Sequence, residues 1–574
     1  MNIVGITGQE KDAAAALIRD GKVIAAIEEE KLSRVRHIGM SYAGGLPVQA
    51  IEFCLQRGGI SFSEIDYVAY YLEPQKLFHR EMAFRATHAN SSHTAPSAEA
   101  VPDYFVETLN GLRERLKTRQ IVEEKLAGRG KFIEVNHQMA HAASAFFASG
   151  FERAAIIVAN NRGDMTSTSL MVGRGAQIET LAEAEYPQSI GAVYSALTEA
   201  LGFGDECHKT KWLATTGKTR YLELFQKVLK VKKSGLPGVN LDYFNITGKG
   251  RPAFSDLFYE ASKFKPRAKD EPIGQIHRDL AASLQAHLEN VLCEIAARHR
   301  EKTGEENLCL AGGVALNSLA ISAIERRAGF KRVFVQPAAG NVGCAIGAAL
   351  QVWHQNLNHP ERNYEMRHLF LGPQFNDEEI KSILDNCKIG YEYFLTEDKL
   401  IAEVARLLHQ GKIIGWFRGA MEFGGRALGN RSILASPANE LMRDNLNTFI
   451  KHREDFRPFS AAVPVERINE FCEPSDLQRF LEGVSRVREG KRALIPAVVF
   501  GEGLARMHSV SRKDNPAFWK LLVKFGETGD VPVLINTSFN LFGEPVVSTP
   551  REAVRGFYCS GIDCLAIGNF LIKK

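Results

Sequence analysis

The sequence predicts an α/β protein of at least two domains, the first a duplicated α/β fold with a ligand cleft between its halves. Two stretches, "NIVGITG" running on to "GKVIAAIEEEKLSR" and later "AAIIVANNRGDMTSTSLMVG", repeat one strand–turn–strand plan. Two others, "NLCLAGGVALNSLAISAIE" and "RVFVQPAAGNVGCAIGAALQVW", repeat a strand–glycine–helix order. After the polar, Asn-rich "HQNLNHPERNYEMRHLFLGPQ" the character of the chain changes, which places a domain boundary near residues 355–370.

The first stretch reads as a meander: a strand, a turn, a second strand, a tight D-G turn at Asp20 and Gly21, and a third strand entering a polar segment. In the second, an apolar strand runs into the polar loop "NNRGD" and leaves along a Ser/Thr-rich strand. Gly312 and Gly313, then Gly340 and Gly343, stand at strand-to-helix turns, where backbone N–H groups can approach a phosphate. One such turn serves packing as readily as binding, and two in succession favour a nucleotide site.

The chain has 574 residues, enough for more than one core, and its 45% hydrophobic and 24% charged content is that of an ordinary globular protein. A net charge of +4, with both signs spread throughout, gives no broad footprint for nucleic acid or a membrane surface. The N-terminus lacks the charged and apolar regions of a secretory signal, and no apolar run approaches the ~18 residues of a membrane span. Nine cysteines without a C-x-x-C pair fit reduced thiols, so a cytoplasmic location is expected, with Cys309 and Cys344 as core residues.

In "NHQMAHAASAFF", His137 and His141 fall four apart and share one face of a helix. They are either two satisfied core histidines or part of a metal site whose other ligands come from elsewhere. The densest chemistry lies beyond residue 411: Arg418, Arg426, Arg431, Lys451, Arg453, Arg457 and Arg506 recur among glycines and apolar strands. Guanidinium forks there suit phosphate oxygens, with Lys451 as a point charge, whereas surface ion pairing fits these neighbours poorly.

The stretches "HQMAHAASAFF", "LAGGVALN", "QPAAGNVGCAIGAAL", "MEFGGRALGNRSIL", "KHREDFRPF" and "VPVLINTSFN" with "GEPVV" together resemble a family over nearly the whole chain. It is that of the ATP-dependent carbamoyltransferases of antibiotic and nodulation-factor biosynthesis. The resemblance implies a duplicated actin/Hsp70-like (Kae1-like) domain, residues 1–360, followed by an α/β YrdC-like domain, residues 361–574. It also implies that carbamoyl phosphate and ATP, with Mg2+, form carbamoyl adenylate in the second domain. The first would pass the carbamoyl group to a small natural product with the help of an iron-type metal. By the same resemblance Arg426, Lys451, Arg457, Arg506 and Ser538, with Arg418 and Asn536, bind carbamoyl phosphate and ATP. Gly312, Gly313, Asn317, Gly340 and Asn341 would line a nucleotide cleft.

This chain departs from the family in its first domain. The family holds its metal with two histidines and two aspartates; here the aspartate positions are Asn160, in "NNRGD", and Asn341, in "PAAGN". His137 and His141 then read as the remnant of a metal site, and an iron-type metal is not expected to be held tightly. Where relatives carry His-Asp-Ser-Ala, this chain has "KDAA", with Lys11 at the position of the presumed base and Asp12 retained. Lys11 would supply fixed positive charge in place of the metal, or else pair with Asp12 or Asp164 in a disused cleft. Trp212 and Thr215 in "HKTKWLATTG" replace a Gly and a Pro and alter the cleft wall.

The expected partners are carbamoyl phosphate and a small-molecule acceptor, without membrane or nucleic acid, in a homo-oligomer or with a homologous subunit. Two alternatives follow: an impaired homologue serving an active carbamoyltransferase, and, less favoured by the near-neutral charge, a tRNA threonylcarbamoylation enzyme.

Overall fold

The computed structural model describes residues 1–88, 100–126, 128, 130–245, 253–529 and 531–574. They form two compact units, residues 1–24 with 39–365 and residues 25–38 with 366–574. A single cut at 360/361 was expected. The division falls five residues later, and residues 25–38 belong to the second unit, where Glu28 accepts from Gly424 N and Lys31 Nζ donates to Glu422 O and Gly424 O. No composition shift marks so short an excursion.

The sheet of the first unit has the order β3-β2-β1-β4-β5 and is built from β1 (Asn2–Thr7), β2 (Ala14–Arg19), β3 (Lys22–Glu28, whose last four residues count with the second unit), β4 (Tyr67–Tyr70) and β5 (Lys131–Glu134). The pairing of β1 with β2 is antiparallel and with β4 parallel. The D-G turn is as read: Asp20 and Gly21 have φ of 48° and 76°, the left-handed pair that a two-residue hairpin needs. A second sheet holds β6 (Arg153–Ala159), β7 (Thr166–Arg174), β8 (Gln177–Glu185), then, past the short ribbon β9 (Leu229–Val231) and β10 (Pro237–Val239), β11 (Asn307–Ala311) and β12 (Arg332–Val335). Its order, β12-β11-β6-β7-β8, is that of the first sheet, with β6 antiparallel to β7 and β11 parallel to β6. This is the duplication of the actin/Hsp70-like fold.

Two small-residue helices position the candidate site. His137–Phe146 buries all but Met139, and Cys344–Gln351 is wholly buried, so each is enclosed on every face rather than along one stripe. Gly347 lets them meet: a Cβ there would stand 1.8 Å from the carbonyl oxygen of Ala140. The side chain of Asn136 caps the first helix, accepting from Met139 N at 3.1 Å, and this fixes His137 in its first turn.

The second unit is built on a nine-stranded mixed sheet. Its strands are β13 (Glu392–Tyr393), β14 (Ile414–Phe417), β15 (Arg431–Ala435), β16 (Ser460–Pro464), β17 (Ser485–Arg486), β18 (Leu504–Val510), β19 (Leu534–Ser538), β20 (Cys564–Ile567) and β21 (Phe570–Lys573). The order is β13-β21-β20-β14-β15-β19-β16-β18-β17. Alternate residues face two cores, as the two-residue period of a strand requires. Ile433, Ala461, Ile535 and Leu565 meet the helix Pro550–Tyr558, while Leu434, Ala462, Leu534 and Ala566 meet the helices Glu397–His409 and Pro516–Gly529. Ser460 pairs with Arg506 on one side and Asn536 on the other, so these two expected site residues lie on one line across one face. No helix among the described residues is long and apolar enough to cross a membrane.

Candidate functional site

In the first unit, the structure gathers the loop after β6, the start of the helix His137–Phe146, and the turn Asn341–Gly343. His137 Nε2 lies 3.1 Å from His141 Nε2 and 3.2 Å from Asn341 Oδ1, while its Nδ1 lies 3.0 Å from Asp164 Oδ1. Both rings are buried, and burial with the neighbouring His137 holds His141 well below the usual histidine range. The sulfur of Cys344 completes a close group with the two imidazoles, all within 4.8 Å, a neighbour that the reading of Cys344 as a simple core residue missed. A Cys three residues past "AAGN" would place a thiol on the inner face of the following helix, which was the available signal.

Asn160 does not join this group as a ligand. Its Oδ1 accepts a hydrogen bond from Gly313 N at 2.8 Å, and its Nδ2 is enclosed without a partner. The donors left around His137 and His141 are a neutral amide oxygen and a thiol whose pKa burial raises well above normal. Asp164 sits on the far nitrogen of His137. Such a set lacks the anionic oxygen ligands that a hard, iron-type ion requires, and the residues present do not fit that metal.

Gly312 has φ 91° and approaches Ala159 so closely that a Cβ would stand 2.3 Å from its carbonyl oxygen, so its glycine serves packing of the turn. Gly340 has room for a side chain. The Asn317 side chain is committed internally: it caps the next helix through Ala320 N at 3.2 Å and exchanges hydrogen bonds with Gln285. Lys11 is more than half exposed and pairs with Asp205 at 3.2 Å, which is neither of the partners expected from the sequence. Asp12 occupies the turn between β1 and β2 at φ 61°. Trp212 is buried in the helix Cys207–Leu213, with Lys211 4.6 Å above its ring.

The second unit collects most of its expected residues. Lys451 is buried, and its ammonium donates to Ser538 O at 2.8 Å, Asn540 Oδ1 at 2.7 Å and Asn540 O at 3.0 Å. Burial, then Arg453 and Arg457, pushes its pKa well down. Arg506 is likewise pushed well below its usual range by burial and then by Arg426 and Arg453. Arg453 falls to about 9 for the same reasons, with Arg457 as the repelling neighbour. Asn447 shapes the "KHREDFRP" loop, accepting from Arg453 Nε at 2.7 Å and donating to Arg457 O at 3.2 Å. Crowded, partly buried cations that depress one another favour an anion among them.

Arg418 stands apart, donating to Gly568 O and pairing with Glu397 at 2.9 Å. Arg431 is fully buried as a structural post, bonded to the carbonyl oxygens of Arg418, Gly419 and Pro373 and 3.7 Å from the Phe417 ring. Glu482 was not anticipated. This buried carboxyl is raised to about 8 by desolvation, which outweighs the attraction of Arg426 and Arg506. It lies in no motif, and only the tertiary fold brings it to the arginines. Asn540 could have been read from "NTSFN", two residues beyond Ser538 and on the same side.

Comparison with known proteins agrees with this architecture. The family described as carbamoyltransferase N-terminus matches residues 2–350, and that described as carbamoyltransferase C-terminus matches residues 405–574. The chain belongs to the carbamoyltransferase family. It is 35% identical over 612 residues to the Synechocystis sp. protein sll1178, covering 100% of this chain and 97% of that one. It is 35% identical over 572 residues to nodulation protein NolNO of Sinorhizobium fredii, covering 98% and 79%. Among solved structures, full-length HypF in its phosphate- and nucleotide-bound form aligns with 62% of this chain and 47% of its own at 14% identity and a TM-score of 0.32.

Proposed function

We propose that the protein is an ATP-dependent carbamoyltransferase. In this reading the second unit converts carbamoyl phosphate and ATP to carbamoyl adenylate with release of inorganic phosphate and pyrophosphate, and the first delivers the carbamoyl group to a small-molecule acceptor with release of AMP. The observation that carries it is the crowding of the half-buried Arg426, Arg453, Arg457 and Arg506 around the buried Lys451, whose mutual repulsion is relieved by polyanionic ligands. Making a mixed anhydride of carbamate and a nucleotide requires clamped phosphates and donors aimed at developing negative charge, and this cluster supplies both. Mg2+ would arrive with the phosphates of ATP, since the cluster itself is cationic. Arg418 and Asn317, tied to internal partners, support their turns rather than touch substrate.

Transfer in the first unit proceeds without the family's iron-type metal, because Asn160 and Asn341 are amides. Asp164 keeps His137 oriented, and the histidine pair faces the turn at Asn341. The altered donor set also favours a second reading, in which this chain supplies activated carbamoyl groups to a homologous partner. The test is carbamoyl-phosphate-dependent exchange of labelled pyrophosphate into ATP by the purified protein. Exchange is expected for both readings, and its absence overturns both. Carbamoylation of an added acceptor by this chain alone then selects the first.

A further inference from the structure

The cluster in the second unit contains one feature that phosphate binding leaves unexplained. Glu482 is 5% exposed, and its Oε1 is enclosed without a hydrogen-bond partner. It sits on the turn after Asp476–Gln478, following Leu481, a non-glycine residue at φ 62°. The same turn presents Leu481 O to Arg506 Nη2 at 3.4 Å, so the loop that aims the arginine also carries the carboxyl. A second acceptor is left over on a strand of the sheet that carries Arg506. Asn536, which lies across Ser460 from Arg506, donates its Nδ2 to Ala427 O at 2.9 Å, leaving Oδ1 enclosed and unpartnered.

Buried acceptors without donors are rare in folded proteins and call for an explanation. Arginine and lysine side chains only donate, and a phosphate only accepts. A carboxyl beside Arg426 and Arg506 that burial holds neutral keeps a carbonyl oxygen, an acceptor that a phosphate cannot satisfy. A divalent cation is no better an occupant, since Arg426 and Arg506 set like charge beside Glu482. The group that fits is a neutral donor attached to an anion, such as the amino group of a carbamoyl phosphate.

We propose that Glu482, assisted by Asn536, recognises the amino end of the substrate and so selects carbamoyl phosphate over acyl phosphates that lack an N–H. This rests on the reading of the cluster as a carbamoyl phosphate site. The arginines hold the phosphate end by donation, and the carboxyl and amide oxygens hold the NH2 end by acceptance. An acetyl phosphate would set a methyl group against two acceptors and leave both buried and unpaired. Sites built to bond a substrate N–H reject analogues lacking it far more strongly than apolar pockets reject a missing methylene.

The test uses two stable phosphonates of nearly equal shape, phosphonoacetamide and 2-oxopropylphosphonate, which differ in NH2 against CH3, with inorganic phosphate as reference. Dissociation constants are measured by calorimetry on the full chain. The wild-type protein is expected to bind the amide at least tenfold more tightly than the ketone, and equal affinity overturns the proposal without recourse to any variant. In Glu482→Met the preference is expected to fall at least tenfold while phosphate binds as well as or better than before. Loss of phosphate affinity in that variant would show that Glu482 only places the arginines, and an undiminished preference would remove it from recognition; either overturns the proposal. Failure of wild-type protein to bind phosphate at all instead overturns the reading of the cluster on which the proposal rests.

Discussion

The carboxamide oxygen of Asn160 accepts a hydrogen bond from the backbone N–H of Gly313 at 2.8 Å. A position that the family resemblance assigns to a metal ligand is here a tie between the loop after β6 and a glycine turn. An aspartate could make the same bond with one oxygen and still offer a second, charged one. The amide offers a donor instead, and that donor has no partner.

Restoring both carboxylates is therefore expected to restore metal binding. Wild-type protein should retain well under one equivalent of iron or zinc after purification and dialysis, whereas Asn160→Asp combined with Asn341→Asp should retain close to one. Elemental analysis reads the difference. Stoichiometric metal in the wild-type protein, lost on changing His137, would mean that the thiol of Cys344 and the amide oxygen of Asn341 suffice as ligands.

Lys451 and Arg457 test the second unit. Removing the ammonium of Lys451 takes one donor from each of Ser538 O and Asn540 Oδ1 as well as deleting a charge, a contact worth about 1.5–3 kcal/mol or more. Lys451→Ala and Arg457→Ala are each expected to lower pyrophosphate exchange by at least a hundredfold. Full activity in both would move the site elsewhere.

Lys11 pairs with Asp205 on the surface rather than facing the histidines. Surface pairs contribute at most about 1 kcal/mol, so Lys11→Met should change thermal stability little. Both half-reactions should persist. Selective loss of carbamoyl transfer, with adenylate formation intact, would restore the catalytic role that its sequence position suggests.

Two buried groups set opposite limits on stability against pH. Glu482, raised from 4.5 to about 8, keeps its proton in the folded chain and loses it when unfolded, so stability falls as pH rises from about 4.5 to 8. His508, lowered from 6.5 to about 3 by burial, stays neutral when folded, so stability falls as pH drops from about 6.5 to 3. Each slope is about 1.4 kcal/mol per pH unit, and the two cancel between about 4.5 and 6.5. Melting curves should show a plateau there. Glu482→Gln should flatten the alkaline side and leave the acid side unchanged.

Much of this was legible in the sequence because local signals agreed with the fold. The D-G turn, the two strand–glycine–helix stretches and the duplicated plan are each written in a few adjacent residues. Much of the cationic cluster was legible too, since Arg426, Lys451 and Arg457 fall within the stretches that carry the family resemblance. What stayed hidden depends on pairings remote in sequence. Residues 25–38 leave the first unit without any change of composition, and Glu482 is drawn to Arg426 and Arg506 only by the tertiary fold. The partner of Lys11 lies 194 residues away, on a turn no motif marks. Arg418 looked like its neighbours in sequence and differs from them only in its contacts with Glu397 and Gly568.

The crossing of the two small-residue helices at Gly347 has a mechanical consequence. Gly347→Ala would drive a methyl group into Ala140 O, and the cost of such overpacking, about 3 kcal/mol, should appear as a marked drop in melting temperature. With no slack at that crossing, the helix bearing His137 and His141 cannot slide past the one that begins beside Asn341. The histidines, the amide turn and the thiol of Cys344 move as a single block or not at all. An acceptor bound by the first unit, as proposed above, would meet a preset frame, and any adjustment to its shape would come from the loops around that frame or from the acceptor itself.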